Sequence, residues 1–202
     1  MFNYRIRFCK QGRAIYISHL DLMHTFQRAF SRAGYNLSYS EGYNPHPSLS
    51  IALPLSVGCS SRCEIMDFNG DKPEIPKLNE ALPEGIIVTD IYEPERKASD
   101  IKYLKIKGEF FYEDRIPPDL KAFYEQDEIK VVKKGKKGLT EVDIKPMIRS
   151  INFEGLSLEA LICAQNPTLN PDYIAKALGE YSPDFYRFER IELFDEDLNV
   201  FR

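Results

Sequence analysis

Apolar and polar positions in the first half of the chain follow the spacings of strands and helices in turn. Tyr4, Ile6 and Phe8 alternate with two arginines, which is the period-two pattern of a half-buried strand. A helix follows, because apolar residues then recur every three to four positions between a Ser18 cap and a terminal Gly34. The other predicted elements of this half are strands at 37–40, 49–57, 64–68 and 86–92 and a helix at 73–82.

The predicted helix after Ser18 has one apolar and one polar face. The apolar stripe consists of Leu22, Phe26, Ala29, Phe30 and Ala33. The opposite face carries Asp21, His24, Arg28 and Arg32. Ser18 and Asp21 have the spacing of a capping-box variant, so their simplest role is to begin the helix. The alternative for Asp21 is to orient a histidine.

The second half of the chain repeats this order of elements. Its predicted strands lie near 104–110, 129–132, 140–152, 156–164 and 186–194, and its predicted helices lie at 117–126 and after the Asn170 cap. A polar stretch at 93–100 that contains Pro94 separates the halves. Two β-α-β-β-α-β series predict an α+β protein of two ferredoxin-like sandwiches in a duplicated architecture, with one domain at 1–95 and another at 100–202.

Composition favours a globular protein of the reducing cytosol. Hydrophobic residues make up 43% of the 202 positions, which is enough for a packed core. No stretch reaches the roughly 20 apolar residues of a membrane span, and the N-terminus lacks a signal-peptide core. The cysteines are sparse, and only Cys59 and Cys63 are close in sequence. We therefore expect ordinary thiols, no metal site, no cofactor, no membrane contact and a cytoplasmic location.

Charge is unevenly distributed along the chain. Residues 1–62 contain seven Lys and Arg against two acidic residues, a balance of +5, whereas residues 63–202 contain twenty against twenty-nine, a balance of −9. A polyanion such as RNA should therefore meet the N-terminal part. The alternative is ordinary surface charge on a mildly acidic protein. The Lys-rich turn at 133–138 is interpreted as a solvated hairpin tip, and the alternative is contact with phosphate.

All three histidines lie in one tract between Ser18 and Gly58. His19 falls in the first helical turn, where free N–H groups favour a neutral imidazole that acts as a base or donor; alternatively, its ring packs against the sheet. His46 lies between two prolines and, with Asn44, is displayed on a stiff loop, unless this loop is only a structural turn. We predict that His19 and His46 are catalytic and line one cleft with Asn44.

Basic and aromatic side chains of the same tract are candidates for substrate binding. Arg28 or Arg32 is expected at the rim of the cleft, in contact with phosphate. Arg5 and Arg7 are expected on an uncovered sheet face, in the same role. The tyrosines that are candidates for stacking on bases are Tyr4, Tyr39 and Tyr43. The alternative is a solvated basic face with core tyrosines. The predicted substrate-binding set is Ser18, Asp21, Arg28, Arg32, Tyr43 and Asn44.

Four segments resemble one bacterial family, which is linked to radical-SAM enzymes and has no established activity. They are 16–23 with the SHLD motif, 26–29, 39–47 with the NPHP motif, and 53–58. Members of that family resemble the C-terminal extension of radical-SAM proteins with a cobalamin-binding-type domain, and they also occur alone. His24 and Tyr43 depart from the family pattern, which usually has a basic residue and often phenylalanine at these positions. The radical-SAM portion is absent from this sequence, so cluster and S-adenosylmethionine chemistry does not follow from the resemblance.

Three functions fit these residues. The first is an RNA-associated binding module or an RNA-processing or modification factor; in a cleaving version, His19 or His46 is the general base and Arg28 binds the phosphate. The second is a non-catalytic accessory protein that docks on a radical-SAM enzyme or presents a substrate to it. The third is a small-molecule enzyme with a His19/His46 pocket. No residue pattern selects a reaction or a substrate.

Overall fold

The computed structural model describes residues 2–135 and 138–202. The chain divides into two compact units, Met1–Asp100 with Arg202, and Ile101–Phe201. Each unit combines strands with helices, so the prediction of a mixed α and β protein is confirmed. None of the helices in these ranges is long and apolar enough to cross a membrane. Lys136 and Lys137 of the predicted Lys-rich turn lie outside the described residues.

The first unit builds an antiparallel sheet with two helices. Its strands and helices are β1 (Tyr4–Lys10), α1 (His19–Arg32), β2 (Leu49–Ile51), β3 (Ser60–Phe68), α2 (Ile75–Ala81) and β4 (Ile86–Tyr92). β1 pairs with β3 and with β4, and β2 pairs with β3, in each case antiparallel. The order within this unit is therefore β4-β1-β3-β2.

α1 begins and ends where its sequence predicts. The Ser18 side chain accepts a hydrogen bond from the Asp21 N–H at 3.2 Å, and its hydroxyl donates to the Asp21 carboxylate at 2.7 Å. The last helical residue is Arg32, and Gly34 follows with a φ of 76°, which glycine adopts without strain. The predicted apolar stripe is buried, and the predicted polar face of Asp21, His24, Arg28 and Arg32 is exposed.

The apolar stripe of α1 packs on β1 and β3. The Phe8 and Phe26 rings meet edge to face with centroids 4.8 Å apart, and the Phe30 and Phe68 rings meet in the same way at 4.9 Å. α2 completes the same core through Leu78, which is fully buried. Burial of a large apolar side chain contributes about 1.5–3 kcal/mol, so this packing holds α1 in a fixed position on its sheet.

A buried ion pair joins β1 to β3. Arg5 stands opposite Asp67 in the register, and its Nε and Nη2 donate to the two carboxylate oxygens at 2.6 and 2.9 Å. Nη2 also donates to the carbonyl of Arg96 at 3.0 Å. Because the Arg5 side chain is 0% exposed, the prediction that it contacts phosphate from an uncovered sheet face is wrong. Arg7 is half-buried, and its predicted role stays a prediction.

Two predicted strands of this unit are shorter than their apolar patterns. Residues 37–40 make only isolated bridges. The strand predicted at 49–57 ends at Ile51. Pro54 has no N–H to give to a ladder, and Gly58 turns the chain with a φ of 88°. The rest of that segment is therefore a loop.

The second unit has a larger set of strands. Its elements are β5 (Tyr103–Phe111), α3 (Leu120–Glu125), β6 (Lys130–Gly135), β7 (Gly138–Asp143), β8 (Ile148–Glu154), β9 (Ser157–Cys163), α4 (Asp172–Lys176) and β10 (Phe185–Phe194). β10, β5, β9 and β8 lie side by side in that order, each antiparallel to its neighbours. β6 and β7 pair as a separate two-stranded sheet.

The single strand predicted at 140–152 is two strands. A 3₁₀ turn with Pro146 at its centre interrupts it, and the part before this turn pairs back with β6. The Asp143 carboxylate closes this hairpin, since its Oδ1 accepts hydrogen bonds from the N–H groups of Ile129 and Lys145, both at 2.9 Å. The alternation of apolar and polar residues continues through this turn, so the sequence pattern does not show that the strand is interrupted there.

Replacing Asp67 with asparagine should strongly destabilise the protein, because the buried Arg5 side chain then loses the carboxylate that stands opposite it in the register. We expect the free energy of unfolding to fall by about 3–5 kcal/mol in a chemical denaturation experiment. Asp114→Asn is the matched control, since Asp114 is exposed and such changes stay within about 0.5 kcal/mol. A loss for Asp67→Asn no larger than that of the control would contradict the role of the pair.

Candidate functional site

The predicted site residues form two groups in the first unit. The helix-start group consists of Ser18, His19 and Asp21 at the beginning of α1. The loop group consists of Tyr43, Asn44 and His46, which lie in a hairpin loop, residues 38–48, between α1 and β2. Arg28 and Arg32 lie on the exposed face of α1.

A buried lysine holds the chain in front of α1. Lys10, the last residue of β1, is 1% exposed, and its Nζ donates to the carbonyls of Ile17 at 2.6 Å and Ile15 at 3.3 Å. Burying an ammonium group is costly unless its N–H groups are hydrogen-bonded, so these carbonyls are held in place. Lys10 therefore fixes the 3₁₀ turn Gly12–Tyr16 and positions Ser18 as the helix cap.

The helix-start group combines a satisfied cap with one partly exposed histidine. Ser18 and Asp21 are hydrogen-bonded to each other, which accounts for both side chains structurally. His19 is the first helical residue and is half-buried. The predicted role of His19 as a base, and those of Ser18 and Asp21 in substrate binding, stay predictions.

The loop that follows β2 lies beside the start of α1. The Gly58 N–H donates to the carbonyl of Ile15 at 2.9 Å, which brings the loop after β2 beside the turn before α1. Three apolar side chains on these neighbouring segments remain exposed, and we call them the apolar patch: Tyr16 at 70%, Leu20 at 61% and Val57 at 58%. Grouped exposed apolar side chains are a feature of contact surfaces.

Backbone hydrogen bonds tie the base of the hairpin loop to the end of β3. The Ser38 N–H donates to the Asn69 carbonyl at 2.8 Å, and the Asn69 N–H donates to the Ser48 carbonyl at 2.9 Å. Further out, the Ser40 N–H donates to the His46 carbonyl at 2.8 Å, and the His46 N–H donates to the Ser40 hydroxyl oxygen at 3.0 Å. The arms of the loop are therefore ordered up to His46.

The tip of the hairpin loop is fully exposed. The Tyr43 side chain has 108% relative exposure, and Asn44 and His46 are exposed as well. Pro45 and Pro47 restrict the backbone on both sides of His46. The Tyr43 ring contributes nothing to a core, and its ordered frame presents it to solvent together with the two polar side chains.

The exposed face of α1 is basic. His24, Arg28 and Arg32 lie along it, each on the next turn of the helix. Arg32 Nη2 donates to the carbonyl of Ala81 at 2.5 Å, which ties this side chain to the end of α2. Arg28 and Arg32 therefore lie one turn apart on this face, and their predicted role in substrate binding stays a prediction.

The helix-start group and the loop group do not share a cleft. Lys10, which holds the chain before α1, stands opposite Ser61 at the start of β3, whereas the hairpin loop is bonded to Asn69 just past its end. At about 3.3 Å per residue, β3 separates these positions by roughly 26 Å, and α1 spans about 20 Å over the same interval. The prediction that His19 and His46 line one cleft is therefore wrong.

Because the two histidines are far apart, a small-molecule pocket lined by both His19 and His46 does not form. Among residues 2–135 and 138–202, no group of three His, Cys, Asp or Glu side chains is arranged to hold a metal ion. Cys63 is buried in β3, Cys59 precedes that strand, and neither is in a disulfide. The arrangement suits contact with an extended partner along α1 and the hairpin loop.

The sequence predictions do not include two contacts that position the helix-start group. The first is made by the buried Lys10. Its position in phase with Ile6 and Phe8 along β1 does indicate a side chain that points inward. The contact between Gly58 and Ile15 is the other, and it has no local signal because it joins segments that are remote in sequence.

A family model described as an uncharacterized protein conserved in bacteria (DUF2344) matches residues 3–171. The match includes the helix-start group, the hairpin loop and the strands of the second unit through β9. Its description names no activity and no partner. No curated protein matches the chain.

Gly70 should be required where the hairpin loop meets β3. Its φ is 147°, and a Cβ there would lie 2.3 Å from the Asn36 carbonyl oxygen, whereas Gly42 at the tip has a φ of 126° and nothing within 4 Å. Gly42→Ala therefore adds only backbone strain, about 1–3 kcal/mol, and Gly70→Ala adds steric overlap. We expect Gly70→Ala to lose more stability and more hydrogen-exchange protection at Ser38 and Asn69. Equal effects of the two variants would argue against this anchor.

Proposed function

Since the chain belongs to this family of uncharacterised bacterial proteins, its function has to be inferred from its own surface, and we propose that it is an RNA-associated binding module. In this proposal the hairpin loop contacts unpaired bases and the exposed face of α1 contacts phosphates. We also propose a cytoplasmic location, in keeping with its sparse cysteines.

The exposed ring of Tyr43 is the observation that supports this proposal most directly. The ring stands at the tip of a loop whose base is held by backbone hydrogen bonds. Stacking of a base on such a ring contributes about 1–3 kcal/mol and tolerates any base. Asn44 and His46 beside it offer hydrogen-bond donors and acceptors to the edges of an unpaired base.

Arginines of α1 are suited to the phosphates of such a ligand. Arg28 and Arg32 are exposed and one turn apart, and a guanidinium group binds phosphate through two parallel hydrogen bonds. Arg32 already donates to the Ala81 carbonyl, so Arg28 is the stronger phosphate candidate. The +5 balance of residues 1–62 adds a wider attraction for a polyanion.

Binding is better supported than catalysis. Cleavage of RNA needs a general base and charge stabilisation at one phosphate, and the segments that carry His19 and His46 lie at opposite ends of β3. A cleaving version of the proposal rests on one histidine alone, either His46 beside Asn44 or His19 at the helix start, with Arg28 on the phosphate.

A duplicated ferredoxin-like architecture is part of the proposal. The antiparallel order β4-β1-β3-β2 suits a βαββαβ sandwich, and β10-β5-β9-β8 repeats this order if the β6–β7 hairpin is counted as an insertion. Four-stranded sheets of this kind serve in RNA-recognition domains. This is an analogy of fold, so it adds little weight to the function.

The apolar patch favours a second candidate function, that of an accessory protein. Tyr16, Leu20 and Val57 are exposed on segments that Lys10 and the Gly58–Ile15 bond hold in place. Large exposed apolar side chains on ordered backbone suit the centre of a protein interface. In this alternative the patch docks on a radical-SAM enzyme, the partner class that the sequence resemblance implies.

The RNA proposal predicts salt-sensitive binding of a single-stranded oligoribonucleotide to the full chain. Affinity should fall steeply as salt rises, with a slope of about 0.7 per phosphate contact. Tyr43→Ala should weaken binding about tenfold, and Tyr43→Phe should retain it, because stacking needs only the ring. Arg28→Glu combined with Arg32→Glu should weaken binding and reduce the salt slope. Fluorescence anisotropy titrations measure all three.

Charge reversals in the second unit provide the matched control for the arginine variants. Lys121 and Lys176 are exposed on α3 and α4, and Lys121→Glu with Lys176→Glu changes the net charge by the same amount. This pair should change the affinity little. Absence of binding at low salt, or an equal loss from both pairs of reversals, would refute the RNA proposal and favour the accessory function.

The accessory function predicts that one exposed leucine is needed for partner binding and not for folding. Leu20→Asp should change the free energy of unfolding by no more than about 0.5 kcal/mol, because Leu20 is 61% exposed. It should abolish co-purification with a co-expressed radical-SAM enzyme. Ile116→Asp is the control, at a side chain that is 92% exposed in the second unit. If Leu20→Asp co-purifies with the enzyme as well as the parent protein does, the apolar patch is not the docking surface.

A further inference from the structure

A cavity of about 380 Å³ lies in the second unit, on one face of its sheet. The register places Lys105, Leu161 and Ser150 in one row across β5, β9 and β8, and places Glu159 and Asn152 in the next row. All five side chains belong to residues that line the cavity. Small-molecule sites usually have about 300–1,000 Å³, so this volume suits a single ring system with a small substituent.

The lining combines apolar surface with paired polar groups. Phe194 and Leu198 provide the apolar surface. Lys105 Nζ lies 3.1 Å from Glu159 Oε2, so a hydrogen-bond donor and an acceptor stand side by side in the lining. Asn152 offers a second donor and acceptor on one amide. A ligand that fits this lining has a flat apolar face and an edge that both donates and accepts hydrogen bonds.

Leu198 stands at the cavity in an unfavourable backbone conformation. Its φ of 64° is in the left-handed region, which a leucine rarely adopts. Asp195 holds the turn, since its Oδ1 accepts from the N–H groups of Asp197 at 3.0 Å and Asn199 at 2.9 Å. The Leu198 side chain is nevertheless 40% exposed, so the turn does not serve to bury it. Strained residues held by their surroundings cluster at ligand clamps.

The groups around the cavity carry no excess of positive charge. Register and contacts place the cations Lys105, Lys107 and Arg149 and the carboxylates Glu159, Glu189 and Glu192 around it, and the turn that carries Leu198 adds the carboxylate of Asp195. Lys105 and Lys107 both contact the same carboxylate, that of Glu159, at 3.1 and 2.9 Å. An anionic ligand gains little from a set of groups without net positive charge. The absence of excess positive charge therefore favours an uncharged polar ligand over an anionic one.

We propose that this cavity binds a nucleobase, an uncharged planar heterocycle whose edge donates and accepts hydrogen bonds. Phe194 stacks on the ring, and Leu198 covers it from the turn. Asn152 and the Lys105–Glu159 pair bond to the edge of the base, as amide, ammonium and carboxylate groups do in base recognition. The base belongs either to a free nucleoside or to an unpaired position of RNA, which share this chemistry. The site lies in the second unit and does not depend on the hairpin loop.

Uncharged nucleosides test the cavity without any contribution from phosphate binding. The ¹⁵N-labelled full chain is titrated with adenosine, guanosine, cytidine and uridine, up to millimolar concentration, and amide shifts are recorded. At least one nucleoside should shift Lys105, Asn152 and Leu198 more than residues elsewhere. A parallel titration with a short single-stranded oligoribonucleotide separates the two sources of the base. If the oligoribonucleotide binds more tightly than the nucleosides and shifts the same residues, the base belongs to RNA. If only the nucleosides shift these residues, the ligand is a free nucleoside.

Three variants assign the binding to these side chains. Asn152→Ala and Phe194→Leu should each weaken nucleoside binding about tenfold, since one removes the amide and the other the stacking ring. Leu198→Gly should leave the protein at least as stable, because glycine adopts the left-handed conformation without strain. It should still weaken nucleoside binding severalfold. Glu154→Gln, at an exposed carboxylate of β8 outside the cavity lining, should leave binding unchanged.

The proposal is overturned if no nucleoside shifts these residues, or if the Asn152 and Phe194 variants bind with the affinity of the parent. It is also overturned if Leu198→Gly and Glu154→Gln weaken binding equally. Failure of the RNA-binding function gives a different result, namely no oligonucleotide binding at low salt, or equal losses from the two pairs of charge reversals, with the nucleoside shifts intact. The two proposals therefore fail separately.

Discussion

Antiparallel pairing of β1 with β3 decides where every candidate residue of the first unit lies. In this register Arg5 stands opposite Asp67, and the two side chains form a buried ion pair. A shift by one residue would turn the core side chains of a strand to the other face and would separate the pair. Because an unpaired buried charge is destabilising by several kcal/mol (about 3–5), the register is strongly specified. It fixes Lys10 at one end of β3 and Asn69 at the other.

The distance between these two ends of β3 keeps His19 and His46 apart. His19 and His46 lie in the same short tract of sequence, but α1 lies between them and runs along the sheet from one end to the other. No single small substrate contacts both, whereas a single-stranded nucleic acid or a protein partner is long enough. The exposed rings of Tyr16 and Tyr43, one near each end, fit contact with such an extended ligand.

Three loops of this protein are built in the same way. In each, a polar group with fixed hydrogen bonds holds the loop backbone, and side chains of the same loop are exposed to solvent. Lys10 holds the turn before α1, Asn69 holds the hairpin loop, and Asp195 holds the turn that carries Leu198. Side chains presented by an ordered backbone lose less conformational entropy when they bind. The exposed residues on these loops are therefore better candidates for ligand contact than other surface positions.

The amino-acid sequence by itself determined the local elements, above all α1, because capping and helical periodicity act within a few residues. Lys10 is an intermediate case: its phase in β1 indicates an inward side chain, but the carbonyls that accept its hydrogen bonds are set by the fold. Only the tertiary structure decided that Gly58 meets Ile15 and that His46 lies far from His19. These relations depend on strand register and loop closure between remote segments, and the periodicity of one segment contains no information about either.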